Sequence, residues 1–327
     1  MKTTKLILKD AKKILAEKEQ LTDIQSEHFV DRYFSTLYKI YGKSHGHDQA
    51  YILKISTTNR SCENEYEQYT YLNDLNINSL TPIHYSKKYN YLITEQKDMT
   101  EFSSYLKEHR TKKIRVHSFL RLGSLLKEVE QKTGKNSTFD RQEYEGYVIP
   151  RLERNKYFSK KELDSVKNKV RYLTSTINKS KIRECFVSDF TLGNIHIDNN
   201  GGFVIVDMGD AYTGNQYDNI AYIYLNIRFG PLNQYIGNNT KTNLYFTNFL
   251  KGYGITTINQ IEFSLFQLKH LANMISFIDS LILESKSDNS LKSKISYIAN
   301  RYLIQKYKKY FLSLISNCYK DAIQNQA

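Results

Sequence analysis

Apolar residues in the first third of this chain alternate with polar ones in short runs, and beyond it they recur every three or four positions over long ones. The first ~25 residues stand apart: Leu8, Ala11, Ile14 and Leu15 fall on one side of an amphipathic helix. Residues 28–33 and 37–42 then read as strands around Phe34-Ser35-Thr36, and the polar turn 43–49 leads into a third run. That run, 50–56, alternates and is rich in strand formers. After a short loop, Glu65, Tyr69, Leu72 and Leu75 recur at helical spacing and share one face of a helix over 63–75. Residues 91–96 read as a strand. Segments 99–110, 115–133, 160–178, 217–227, 241–252, 259–284 and 291–323 carry helical periodicity, and the whole sequence has only three prolines, Pro82, Pro150 and Pro231. Strands first and helices later predict an α+β layout with a small β-rich lobe, 1–96, and a larger helical lobe, 97–327. The stretch 133–157, with Gly134, Gly146 and Pro150, reads as a variable insertion over a substrate cleft.

One strand pair is expected inside the helical region. Ile195 to Asp198 and Phe203 to Val206 are joined by Asn199-Asn200-Gly201-Gly202, a strong tight-turn sequence. Antiparallel pairing brings the two open ends of such a hairpin to roughly 5 Å from each other. Asn194 at the entry and Asp207 at the exit therefore face one site, and Asp189 lies in the loop just before it. An amide oxygen and a carboxylate are suitable hard ligands for Mg²⁺ on nucleotide phosphates, and a second carboxylate can orient a hydroxyl and take its proton.

The run Asp189-Phe190-Thr191-Leu192-Gly193-Asn194, followed by Val204-Ile205-Val206-Asp207, has the spacing of a kinase catalytic loop and its later metal-binding aspartate. With the single hairpin and the Asp-x-Gly-Asp at 207–210, it most resembles the aminoglycoside phosphotransferase and choline kinase family. The resemblance implies a two-lobed protein-kinase-like fold, Asp189 as catalytic base, Asn194 and Asp207 as metal ligands, and ATP, with GTP the alternative nucleotide, as phosphoryl donor. It also implies a phosphate-binding lysine on a strand and a glutamate on the next helix. Lys54 in the run 50–56 and Glu65 fit, with Glu63 and Glu67 as neighbouring alternatives for the glutamate. No Gly-x-Gly-x-x-Gly is present, so the hydroxyls of Ser35 and Thr36 are expected to approach the phosphates. Residues 91–96 would run into the hinge that holds the adenine. Asp210 is a candidate second-metal or substrate contact, and Asp218 is expected to open a helix and brace the catalytic loop. Val187-Ser188 stands where the family has His-Gly, with Val187 filling the volume by packing.

Composition bears on the acceptor. With 47 Lys and Arg against 34 Asp and Glu the formal charge is +13, a field that favours anionic partners. It leans toward a small molecule or glycan acceptor of anionic character, such as a sugar phosphate or a glycolipid at an anionic membrane surface, and away from a polycationic aminoglycoside. The 27 tyrosines beside a basic surface raise nucleic acid as a rival partner, but no nucleic-acid motif accompanies them. A protein Ser/Thr kinase lacks its glycine loop here, and a catalytically inactive kinase fold would lack the lysine, the base or the metal carboxylate. Three cysteines without ligand spacing argue against a disulfide framework or zinc site. His45 and His47 have no third convergent ligand. With no apolar run of transmembrane length and no signal-peptide pattern, a soluble cytoplasmic enzyme is expected.

Overall fold

The computed structural model describes residues 2–32, 34–57, 62–229, 239–287 and 291–324. Tyr33, the loop positions 58–61 and Pro231 lie outside the described residues. Helix α1 (Lys2–Lys18) is followed by β1 (Thr22–Asp31), β2 (Ser35–Ser44), β3 (His47–Ser56), α2 (Cys62–Asp74), β4 (Pro82–Ser86) and β5 (Tyr91–Glu95). These strands form one antiparallel sheet in the order β1-β2-β3-β5-β4. The period-2 pattern of β3 decides which face each side chain takes. Tyr51 and Leu53 are buried against Ile7, Ala11 and Leu15 of α1, together with Ile40, Tyr91 and Ile93, while Lys54 projects from the opposite face.

The helical lobe opens with β6 (Met99–Glu101), α3 (Phe102–Glu108), α4 (Lys112–Thr133), β7 (Lys135–Thr138), α5 (Arg141–Glu153), α6 (Lys160–Thr176) and β8 (Lys181–Val187). It continues with β9 (Ile195–Asp198), β10 (Phe203–Ile205), β11 (Tyr212–Asn215), α7 (Gln216–Phe229), α8 (Asn239–Tyr253), α9 (Gln260–Ser287) and α10 (Leu291–Gln324). Its core includes Phe102, Phe119, Leu122, Val170, Phe249, Leu268 and Phe311, and it reaches into the small lobe through Tyr69 and Leu72 of α2. Helices α4 and α8 cross at backbone contact. A Cβ on Gly123 would collide with the Phe249 carbonyl, and one on Gly252 with the Leu120 carbonyl.

Several expectations change. Ser35 and Thr36, read as turn residues, begin strand β2, and the connection is instead closed by Arg32 N–H to Ser35 O and Thr57 N–H to Phe34 O. The stretch 133–157, read as a variable insertion, forms β7, paired with β8, and α5. Asp140 caps α5 by accepting from the N–H groups of Gln142 and Glu143 at 2.7 and 3.0 Å, which outweighs the breaker signal of Gly146 and Pro150. The hairpin β9–β10 is joined by β6 into a three-stranded sheet, and β11, β8 and β7 form another. Strands of three or four residues hold too few positions for alternation to stand out from helical spacing.

Candidate active site

The hairpin folds as its turn sequence dictates. Asp198 Oδ1 accepts from the N–H groups of Asn200 and Gly202 at 3.0 and 2.7 Å, and Gly201 takes a left-handed φ of 78°. Ile195 pairs with Ile205, and at the open end the Val206 N–H donates to Asn194 O at 3.0 Å. Asn194 and Asp207 thus leave the ladder side by side. Asn194 is turned by the catalytic-loop segment: its Nδ2 donates to Asp189 O at 2.8 Å and to Asp189 Oδ2 at 3.4 Å. Both bonds use the amide nitrogen, which leaves the amide oxygen as a ligand.

The small lobe meets this loop through Lys54. Its Nζ lies 2.7 Å from Glu65 Oε2 and 2.7 Å from Asp207 Oδ1. The Lys54 side chain keeps 22% exposure, Glu65 5% and Asp207 57%. An ammonium has three donors, so one remains for a phosphate oxygen. Burial works against the Lys54 charge, but the Glu65 and Asp207 carboxylates outweigh it and hold its pKa above the usual lysine range. Burial also raises the Glu65 carboxyl above its ordinary value, opposed by Lys54. Lys54 therefore stays charged at any working pH.

The Asp189 carboxyl sits above the ordinary aspartate value. Burial is the main cause; the Tyr222 hydroxyl pulls it back, and the nearby charges of Asp207 and Asp210 push it up. Its Oδ1 is buried and without a hydrogen-bond partner. A carboxylate that is buried, half-satisfied and proton-seeking suits a general base.

Among the described residues there is no cluster of three or more His, Cys, Asp or Glu that could hold a metal alone. Mg²⁺ commonly takes one or two protein oxygens and completes its shell with phosphates and water. The Asn194 amide oxygen and the second Asp207 oxygen fit that mode.

Not every expected residue joins the group. Ser35 is buried in β2 and the Thr36 hydroxyl interacts with Asp31; no described hydrogen bond links either to Lys54. Glu65, not Glu63 or Glu67, carries the lysine contact. Asp218 does not brace the catalytic loop by a described bond. It is 1% exposed and its carboxylate meets Lys269 at 2.9 Å and His270 at 3.3 Å. Burial alone would raise it, but the Lys269 charge and the contact with His270 hold its pKa below the ordinary range. The brace is its neighbour: Asn219 Nδ2 donates to Phe186 O at 2.8 Å, on the strand that enters the catalytic loop. Sequence reading missed Asn219, Tyr222 and Lys269, because helical spacing assigns a face but not the partner across it. Val187 is 1% exposed and pairs with Tyr212, so it is held by packing.

The arrangement of lobes, hinge and hairpin is the fold of small-molecule kinases. Choline kinase LicA from Streptococcus pneumoniae shares it with a TM-score of 0.59 at 12% identity, over 92% of this chain and 98% of that one. A choline/ethanolamine kinase family protein from Mesorhizobium loti gives 0.60 at 11% identity, over 94% and 98%. Spectinomycin phosphotransferase, solved with ADP and spectinomycin, gives 0.59 at 13% identity, over 95% and 98%. Comparisons with protein-family models and with curated proteins return no match. No helix among the described residues is long and apolar enough to cross a membrane.

Proposed function

We propose that this protein is a Mg²⁺-dependent phosphotransferase that moves the γ-phosphoryl group of ATP, or GTP, onto a hydroxyl of a small molecule, sugar or glycan. The observation that carries the reading is the convergence of Lys54, Glu65 and Asp207 from two lobes, with Lys54 Nζ at 2.7 Å from both carboxylates, beside Asn194 and Asp189.

In this reading Glu65 holds the Lys54 ammonium, whose third donor takes an α- or β-phosphate oxygen. Asn194 and Asp207 would hold Mg²⁺, which would supply neutralisation of the phosphate charge. Asp189 orients the acceptor hydroxyl and accepts its proton as the acceptor oxygen bonds to phosphorus. The bond from phosphorus to the bridging oxygen breaks in the same displacement, and the nucleoside diphosphate leaves. Residues 91–96 would run into a hinge whose backbone groups would hold the adenine. The formal charge of +13 favours an acceptor of anionic character, such as a sugar phosphate.

The test is thermal stability with ATP or GTP, each with and without Mg²⁺, because a ligand bound only by the native state raises the melting temperature. A Mg²⁺-dependent rise that Asp207→Ala abolishes supports the reading and opens a screen of sugars and sugar phosphates. Absence of any shift, in protein shown to carry no nucleotide from purification, rejects it.

A further inference from the structure

Tyr69 lies one helical turn beyond Glu65 on the same face of α2. Its ring is fully buried in the core of the helical lobe, and a phenylalanine would pack there as well. The hydroxyl is what distinguishes it. It donates to Glu65 Oε1 at 3.0 Å and accepts from the Asp207 N–H at 2.7 Å. Burial and the Glu65 charge raise its pKa well above the usual tyrosine value, so it stays a donor.

The acceptor half of that arrangement falls on an unusual backbone. Asp207 has a φ of 59°, a left-handed conformation uncommon outside glycine. It persists only where its surroundings over-determine it. On one side the Val206 N–H is tied to Asn194 O, and on the other Asn64 Nδ2 donates to Gly209 O at 2.8 Å. Between them Tyr69 takes the Asp207 N–H itself.

Four groups then form a closed circuit. Lys54 touches the Glu65 and Asp207 side chains, and Tyr69 touches the Glu65 side chain and the Asp207 main chain. Any tilt of α2 that withdraws Glu65 from Lys54 also withdraws the hydroxyl from Asp207.

We propose that Tyr69 is a positioning residue: its hydroxyl fixes the left-handed backbone of Asp207, aims that carboxylate at the metal position, and so couples α2 to Mg²⁺ affinity. The proposal rests on the phosphotransferase reading for its metal consequence, and on the hydrogen-bond geometry alone for the hold on the loop.

The test compares Tyr69→Phe with Tyr91→Phe. Tyr91 is equally buried, but its hydroxyl serves Asp10 at 2.8 Å in the other core, which controls for the general effect of deleting a buried hydroxyl. Amide exchange of the ligand-free protein is read on the peptide spanning 203–211, and ATP binding is titrated calorimetrically at rising Mg²⁺. Expected for Tyr69→Phe alone are exchange of that peptide about tenfold faster, a Mg²⁺ half-saturation raised about tenfold, and metal-free ATP affinity within about threefold of wild type. Unchanged exchange, or an equal effect of Tyr91→Phe, overturns the proposal. Faster exchange with unchanged Mg²⁺ dependence overturns the coupling. If the wild type binds no nucleotide at any Mg²⁺ concentration, the phosphotransferase reading and the metal coupling both fall, while exchange still decides the hold on the loop. Should Tyr69→Phe be insoluble, an Asp207 amide that exchanges in the wild type as fast as an exposed loop overturns the proposal equally.

Discussion

Replacing Glu65 by glutamine keeps the shape of the side chain and removes its charge at a position only 5% exposed. The effect can be followed atom by atom. Lys54 is not stranded, because Asp207 Oδ1 remains 2.7 Å away, so the loss falls below the ~3–5 kcal/mol of an unpaired buried ion. The amide has two orientations, and each fails once. With its NH₂ toward Lys54, two donors face each other. With its NH₂ toward Tyr69, the hydroxyl accepts from both the amide and the Asp207 N–H, and its own hydrogen has no acceptor. One unsatisfied buried donor costs about 1–3 kcal/mol, and with the lost charge a net destabilisation of about 2–3 kcal/mol is expected. At about 2 °C per kcal/mol for a chain of this size, the melting temperature falls by roughly 4–6 °C. Losing the charge-assisted bond that holds the ammonium removes about 1.5 kcal/mol from phosphate binding, about tenfold in Mg²⁺-ATP affinity. Differential scanning calorimetry and titration calorimetry read the two numbers. Glu67→Gln, at an exposed position two residues away, is the control and should stay within ~0.5 kcal/mol. A Glu65→Gln protein that melts with the control, or binds nucleotide like the wild type, refutes the reasoning.

Four further variants have expected outcomes. Asp189→Asn should lower phosphoryl transfer by about 10²–10⁴-fold while Mg²⁺-ATP binding, measured by calorimetry, is retained. Because the folded Asp189 pKa lies above the ordinary value and the base must be ionised, the acid limb of the kcat/KM profile should lie above the ordinary aspartate range. Tyr222→Phe removes an interaction that lowers this pKa, so the limb should move to higher pH; a move to lower pH contradicts the assignment. Lys269→Met leaves Asp218 with only His270 and the Tyr212 hydroxyl, and should lose about 2–3 kcal/mol in urea denaturation, below the figure for a fully unpaired buried ion and partly restored by adding Asp218→Asn. Gly252→Ala, whose Cβ meets the Leu120 backbone, should destabilise by at least about 1–3 kcal/mol by overpacking, read as a lower urea midpoint at unchanged slope.

How far the sequence reaches is set by range. Because hydrophobic period and turn chemistry are local, it determined the strands-then-helices order and the two-lobed fold, though not β6, β7, β8, β11 or α5. It also placed Asn194 and Asp207 together, since a hairpin of known turn sequence fixes where its open ends lie. Lys54 and Glu65 were legible through the family resemblance, with strand and helix periodicity giving each a face. What tertiary structure decided is everything that depends on a partner from elsewhere in the chain. Ser35 and Thr36 went into a strand because the β1–β2 register, which no local pattern fixes, put the turn one step earlier. Asn219 took the bracing role from Asp218 because one residue around a helix is a rotation of ~100°, enough to exchange Phe186 for Lys269 as neighbour. Tyr69 looks in sequence like any apolar-face tyrosine. Only the approach of the Asp207 backbone, 138 residues later in the chain, gives its hydroxyl an acceptor's work, and a left-handed main chain at that point is a property of the assembled loop, not of the residue.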